Sequence, residues 1–195
     1  MNKERIEAFS DGVIAIIITI MVLEIKVPHG TTLESLRPLI PKFISYALSF
    51  VFVGIYWNNH HHLFHAVKRV NGKIMWANLN LLFWLSLFPV AAGWMGEHHF
   101  SRWPVLVYGV VLCAAAVAYL LLMVMIKKTE GSNSLILDAI GKDIKGRLSV
   151  VFYVVGILLS LLNPWVGAAV YALVAAFWFI PDRRIEKVIA AAEGD

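Results

Sequence analysis

The residues with the most capacity for chemistry are an aspartate and a run of histidines set inside apolar sequence. Asp11 follows Arg5, Phe9 and Ser10 in RIEAFSDGVIAIIITIMVLEIKV, residues 5–27, and His60, His61, His62 and His65 close the stretch 42–65. A carboxylate in hydrocarbon must protonate or find donors, so Asp11 is either an ion or proton site or a structural clamp. Helix spacing separates the two. At 3.6 residues per turn Arg5, Phe9, Gly12, Val13, Ile16, Ile20 and Leu23 share one stripe with Thr19 on its flank, and Asp11 points nearly the opposite way. The stripe sets aliphatic and hydroxyl groups in register, as the lining of an ion pore requires; ordinary helix packing is its other reading. Asp11, off that stripe, is read as a clamp buried among donors of the same subunit, drawn from Asn58, Asn59, His60, His61, His62, Trp76, Asn78 and Asn80. His61 and His65 have the i, i+4 spacing of a metal pair, but no Cys or carboxylate lies nearby, and hydrogen-bonded histidines are the favoured reading. His98 and His99 fall in a loop.

These groups need a bilayer to position them. Of 195 residues, 59% are hydrophobic and 15% charged, and the mean hydropathy is +0.73. A soluble domain has roughly 45–50% apolar and 25% charged residues, so the excess here cannot be hidden in a core of this size. Spans of about 20 apolar residues fit six times. They are expected over 6–25, 42–65, 74–94, 104–126, 148–162 and 165–180, making one transmembrane domain over 1–195. Residues 33–41 read as a short loop or interfacial helix. KKTEGSNSLILDAIGKDIKGR (127–147) reads as a polar connector, and DRRIEKVIAAAEGD (182–195) as a short helical tail. The amino terminus reads as a retained first span, because its apolar run is too long for a signal peptide and Asp11 interrupts its start. With six spans, 13 of the 17 Lys and Arg fall on the side of both termini, which the positive-inside bias makes cytoplasmic. Trp57, Trp76, Trp94, Trp103, Trp165 and Trp178 read mostly as interfacial anchors near span ends. The single Cys113 excludes an intrachain disulfide.

No enzyme motif is present: GxSxG, HExxH, a phosphate-binding glycine loop and paired intramembrane carboxylates are all missing. The basic loops are the topology signal and not a nucleic-acid interface. Val107-Tyr108-Gly109 has the wrong order for a potassium filter loop and lies inside an apolar span. A proton-coupled secondary transporter using Asp11 and the span-two histidines is the competing class, although such folds show broken helices and internal duplication.

Arg5-x-x-x-Phe9-Ser10-Asp11-Gly12-Val13, with Ala15-Ile16-x-x-Thr19, resembles the opening signature of the lysosomal potassium channel family, transmembrane protein 175. Trp57-x-x-His60-His61-x-Leu63-Phe64 and the run from Asn80 to Pro89 are similar to it too. The resemblance implies an all-α membrane protein of six helices per subunit. It implies a homotetramer like the prokaryotic relatives, because the FSD element occurs once, and a prokaryotic plasma membrane location. It also implies conduction of monovalent cations, favouring potassium modestly over sodium, with no cofactor beyond the permeant ion. The pore is then lined by Ile16, Thr19, Ile20 and Leu23, with the hydrophobic constriction at Ile16 and a hydroxyl layer at Thr19. Arg5, Phe9, Ser10, Asp11, His60, His61 and Asn80 match the family's buried polar network.

Overall fold

A backbone in hydrocarbon has no water to pair its amides, so each apolar stretch must close its hydrogen bonds within itself as a helix. The computed structural model describes residues 3–65, 67, 69–130 and 144–179, and these are helical with short connections. Helix α1 is Lys3–Leu23. A 3₁₀ turn at Leu33–Leu39 leads into α2, Ile40–His65, followed by α3, Gly72–Ser86, and α4, Phe88–Glu97. Helix α5 is Arg102–Glu130, α6 is Ile144–Leu162 and α7 is Pro164–Trp178. Helices α1, α2, α5, α6 and the α3–α4 pair are each long and apolar enough to cross a membrane, and α7 adds a shorter apolar helix of 15 residues. The protein is an all-α integral membrane bundle.

The third expected span, 74–94, is two helices. Pro89 has no amide proton and its ring crowds the preceding turn, so the ladder resets at Leu87. Leu87 N–H turns to the Trp84 carbonyl at 3.3 Å, and Ala91 N–H restarts the ladder on the Leu87 carbonyl at 3.0 Å. Upstream, the Asn71 side chain caps α3 by accepting from Ile74 N–H at 3.0 Å. The polar connector is also shorter than expected, since α5 continues through Lys127-Lys128-Thr129-Glu130 and α6 begins at Ile144. Residues 131–143 and the expected carboxyl-terminal tail lie outside the described residues.

Contacts between helix ends sort the turns onto two sides. At one end the Lys3 ammonium donates to the His65 carbonyl (3.3 Å), the Asn71 amide donates to Thr129 Oγ1 (2.9 Å), and the Trp178 indole donates to Ser149 Oγ (3.0 Å). At the other, Lys42 pairs with Glu97 at 3.3 Å, and Phe100 stacks on Trp165 with ring centroids 5.1 Å apart. His99 and Phe100, both with left-handed φ (52° and 58°), turn the chain back there.

Between these ends the helices approach closely where side chains are small, as bilayer packing favours. A Cβ on Gly167 would stand 2.8 Å from the Gly156 carbonyl oxygen, so α6 and α7 touch through backbone. The fully buried Tyr171 ring lies over Gly109 and Gly156.

Candidate functional site

Helix α1 is buried along one face. Ile6, Ser10, Ile14, Ile17 and Met21, spaced three and four apart, pack against α2, α3 and α4. The other flank is bare in the subunit: Ile16 is 57% exposed, Ile20 43% and Leu23 78%, and Thr19 is exposed beside them. A side chain at Gly12 on the same flank would meet nothing within 4 Å. Thr19 Oγ1 donates to the Ile16 carbonyl at 2.8 Å, which occupies its proton and leaves its lone pairs facing away from the helix.

The buried face is fixed by a directional chain of hydrogen bonds. Ser10 Oγ donates to the Ile6 carbonyl (2.8 Å), so it accepts from Asn78 Nδ2 (2.9 Å). That leaves Asn78 Oδ1 to accept from His60 Nε2 at 2.8 Å, and His60 therefore carries its proton on Nε2. The three side chains are at most 2% exposed, and the His60 ring stacks on Phe64 with centroids 4.4 Å apart. The chain ties α1, α2 and α3 together.

Of the expected network, Ser10 and His60 are brought together here and the others are not. Asn80 is half-buried and takes no part; Asn78 serves instead, because two residues along a helix is a rotation of roughly 200° and only one of the pair can face α1. His61 is exposed for the same reason, a turn of about 100° from His60. Arg5 is exposed and Phe9 is 54% exposed.

Asp11 is not buried among donors within the subunit. It lies exposed on the edge of the buried face, and its Oδ1 accepts from Trp57 Nε1 at 3.0 Å, a donor outside the expected set. Trp57 lies well inside α2 and not at its end, with the His61 ring stacked on it at 6.2 Å and 24°. The signal for it was the i, i+4 spacing of Trp57 and His61 on one face of α2 opposite Asp11. The His61 and His65 rings lie 6.5 Å apart, and among the described residues no three His, Cys, Asp or Glu side chains converge as a ligand set.

Asp11→Asn keeps an acceptor for the indole and is expected to unfold near wild type. Asp11→Leu removes it and is expected to lose about 1 kcal/mol. Thermal melts of the detergent-purified protein read the difference, and equal losses in both variants would mean that the charge, not the Trp57 bond, is what matters.

Residues 5–89 match the family described as endosomal/lysosomal potassium channel TMEM175. A protein of Chryseobacterium sp. (strain P1-3) named a potassium channel is 56% identical over 96% of this chain and 97% of its own length. The crystal structure of a lysosomal potassium-selective channel TMEM175 homolog from Chamaesiphon minutus shares the fold with a TM-score of 0.80 and 31% identity, covering 91% of this chain and 96% of that one. The chain belongs to the TMEM175 family, a family of ion channels and not of enzymes. The match reaches vertebrates as well: the Gallus gallus endosomal/lysosomal proton channel TMEM175 is 37% identical over 47% of this chain, which is 21% of that protein.

Proposed function

We propose that four copies of this chain assemble around an axis walled by α1 and conduct potassium, modestly in preference to sodium, across a prokaryotic plasma membrane with both termini in the cytoplasm. The observation that carries the reading is the bare stripe of Ile16, Thr19, Ile20 and Leu23 on a helix whose opposite face is fully packed. The potassium-channel names of the bacterial relatives support the ion. The lysines and arginines gathered at the end where α1 begins support the orientation.

Four Ile16 side chains at one level form an aliphatic ring that shuts by contact or by dewetting, with no charged gate. One turn along, four Thr19 oxygens, their protons already given to Ile16 carbonyls, offer lone pairs to a partly dehydrated cation. Such hydroxyls are fewer and more mobile than a ladder of backbone carbonyls, so discrimination between potassium and sodium is modest. Glu24, exposed just beyond Leu23, adds attraction for cations at the outer mouth. Asp11 stays a clamp, since it lies roughly 140° around the helix from Ile16 and holds Trp57.

Reconstitution in planar bilayers tests this. Reversal potentials in mixed potassium and sodium should favour potassium, and Thr19→Val, which keeps the shape and removes the oxygen, should bring the permeability ratio close to one. An unchanged ratio would move selectivity elsewhere. The same recordings address the vertebrate proton-channel names and a proton-coupled transporter: a current that follows a proton gradient in symmetrical potassium, without single-channel steps, is the transporter's signature.

A further inference from the structure

At the Lys-rich end of the bundle, residues of α3 and α5 line an open cleft of about 1110 Å³. Lys73 enters it from the first turn of α3 and Lys128 from the last turns of α5, and among the described residues lining it none is acidic. We propose that this cleft seats the headgroup of an anionic phospholipid from the surrounding leaflet. It goes beyond the conduction mechanism and holds whether or not α1 lines a pore.

Three features point to a lipid and not to a free anion. First, the two lysines come from different helices joined by a polar floor, where the Asn71 amide donates to Thr129 Oγ1 (2.9 Å) and Thr129 Oγ1 in turn donates to the Met125 carbonyl (2.9 Å). The floor joins α3 to α5, so the lysines project from a braced frame and not from a loop. Second, the wall away from the lysines is mostly apolar: Leu121 lies seven residues before Lys128, roughly 10 Å deeper along α5, Met125 lies between them and Ala77 faces them from α3, with Asn80 the one polar lining residue at that depth. A phosphate needs no such wall, whereas an acyl chain descending from a headgroup at Lys128 does. Third, Trp76 is 73% exposed at the rim, an amphipathic ring of the kind that settles at headgroup depth. Basic pockets between helix ends on the Lys-rich side of a membrane protein are the recurrent form of anionic-lipid sites.

The test is native mass spectrometry of the full-length purified protein after incubation with mixed micelles or vesicles of phosphatidylglycerol or of phosphatidylcholine. Wild type should retain phosphatidylglycerol in preference to phosphatidylcholine. Lys73→Gln/Lys128→Gln should cut the retained phosphatidylglycerol by roughly tenfold or more, given two lysines at the surface. The charge-matched Lys26→Gln/Arg102→Gln at the opposite end should retain it like wild type. Trp76→Ala should weaken phosphatidylglycerol retention while leaving any competition by inorganic phosphate unchanged. Equal retention by wild type and the double lysine variant overturns the site. Full displacement of phosphatidylglycerol by millimolar inorganic phosphate, with no effect of Trp76→Ala, overturns the lipid in favour of a soluble anion. A disulfide between cysteines placed at Lys128 of one copy and on a neighbouring copy, formed in high yield, overturns it in favour of a subunit contact.

Discussion

Ile16→Asn is expected to raise the resting potassium flux of reconstituted vesicles severalfold while leaving the subunit as stable as wild type. Both halves follow from where Ile16 stands. At 57% exposure it makes little of the subunit's core, so exchanging it removes no packed contact. A closed aliphatic ring excludes ions because water does not fill it, and four amides at that level give water and a partly hydrated cation something to bind. Ile14→Asn is the matched contrast. Two residues away, Ile14 is 1% exposed on the packed face, so the same amide would be buried without partners at a cost of about 1–3 kcal/mol, with a lost aliphatic contact added. Dye-reported flux and a melting curve on both variants separate the outcomes. A well-assembled Ile16→Asn protein with unchanged flux would take Ile16 out of the constriction.

Hydropathy and spacing make much of this legible in the sequence, because in a bilayer the backbone has one answer and apolar length reports it. Helical class and family could be read from residues 5–27 and the Trp57-to-Phe64 stretch. The break at Leu87 was harder, since Pro89 within an apolar run fits either a kinked span or two helices, and only packing against α2 and α5 decides between them. The buried chain was half legible. Ser10 and His60 were named, but Asn78 and Asn80 are both amides on one helix, and choosing between them needs the rotation of α3 about its axis, which composition does not carry. Asp11 misled for a related reason: its angle from the stripe was right, yet leaving the stripe does not mean entering the core. It came to rest at the rim, where an indole from mid-α2 could reach it.

Asn78→Ala should be the most destabilising single change in the polar chain. Asn78 both donates to Ser10 and accepts from His60, so its removal leaves the His60 Nε2 proton with no acceptor at 1% exposure. Ser10 is spared, because its proton already goes to the Ile6 carbonyl. Orphaning a buried donor costs about 1–3 kcal/mol, and truncating the side chain adds a cavity between α1, α2 and α3. Replacing His60 by Leu should cost less, since the group left behind is a carbonyl oxygen, which tolerates an empty site better than an N–H does. The two effects should not add. Interhelical hydrogen bonds in membrane proteins couple by roughly 0.6 kcal/mol on average and up to about 1.7, the unfolded helices finding other partners in the bilayer. A double-mutant cycle of Asn78→Ala and His60→Leu, followed by unfolding in mixed micelles, should show coupling within that range. Additivity to within about 0.3 kcal/mol would mean that the 2.8 Å contact contributes no measurable coupling between α2 and α3.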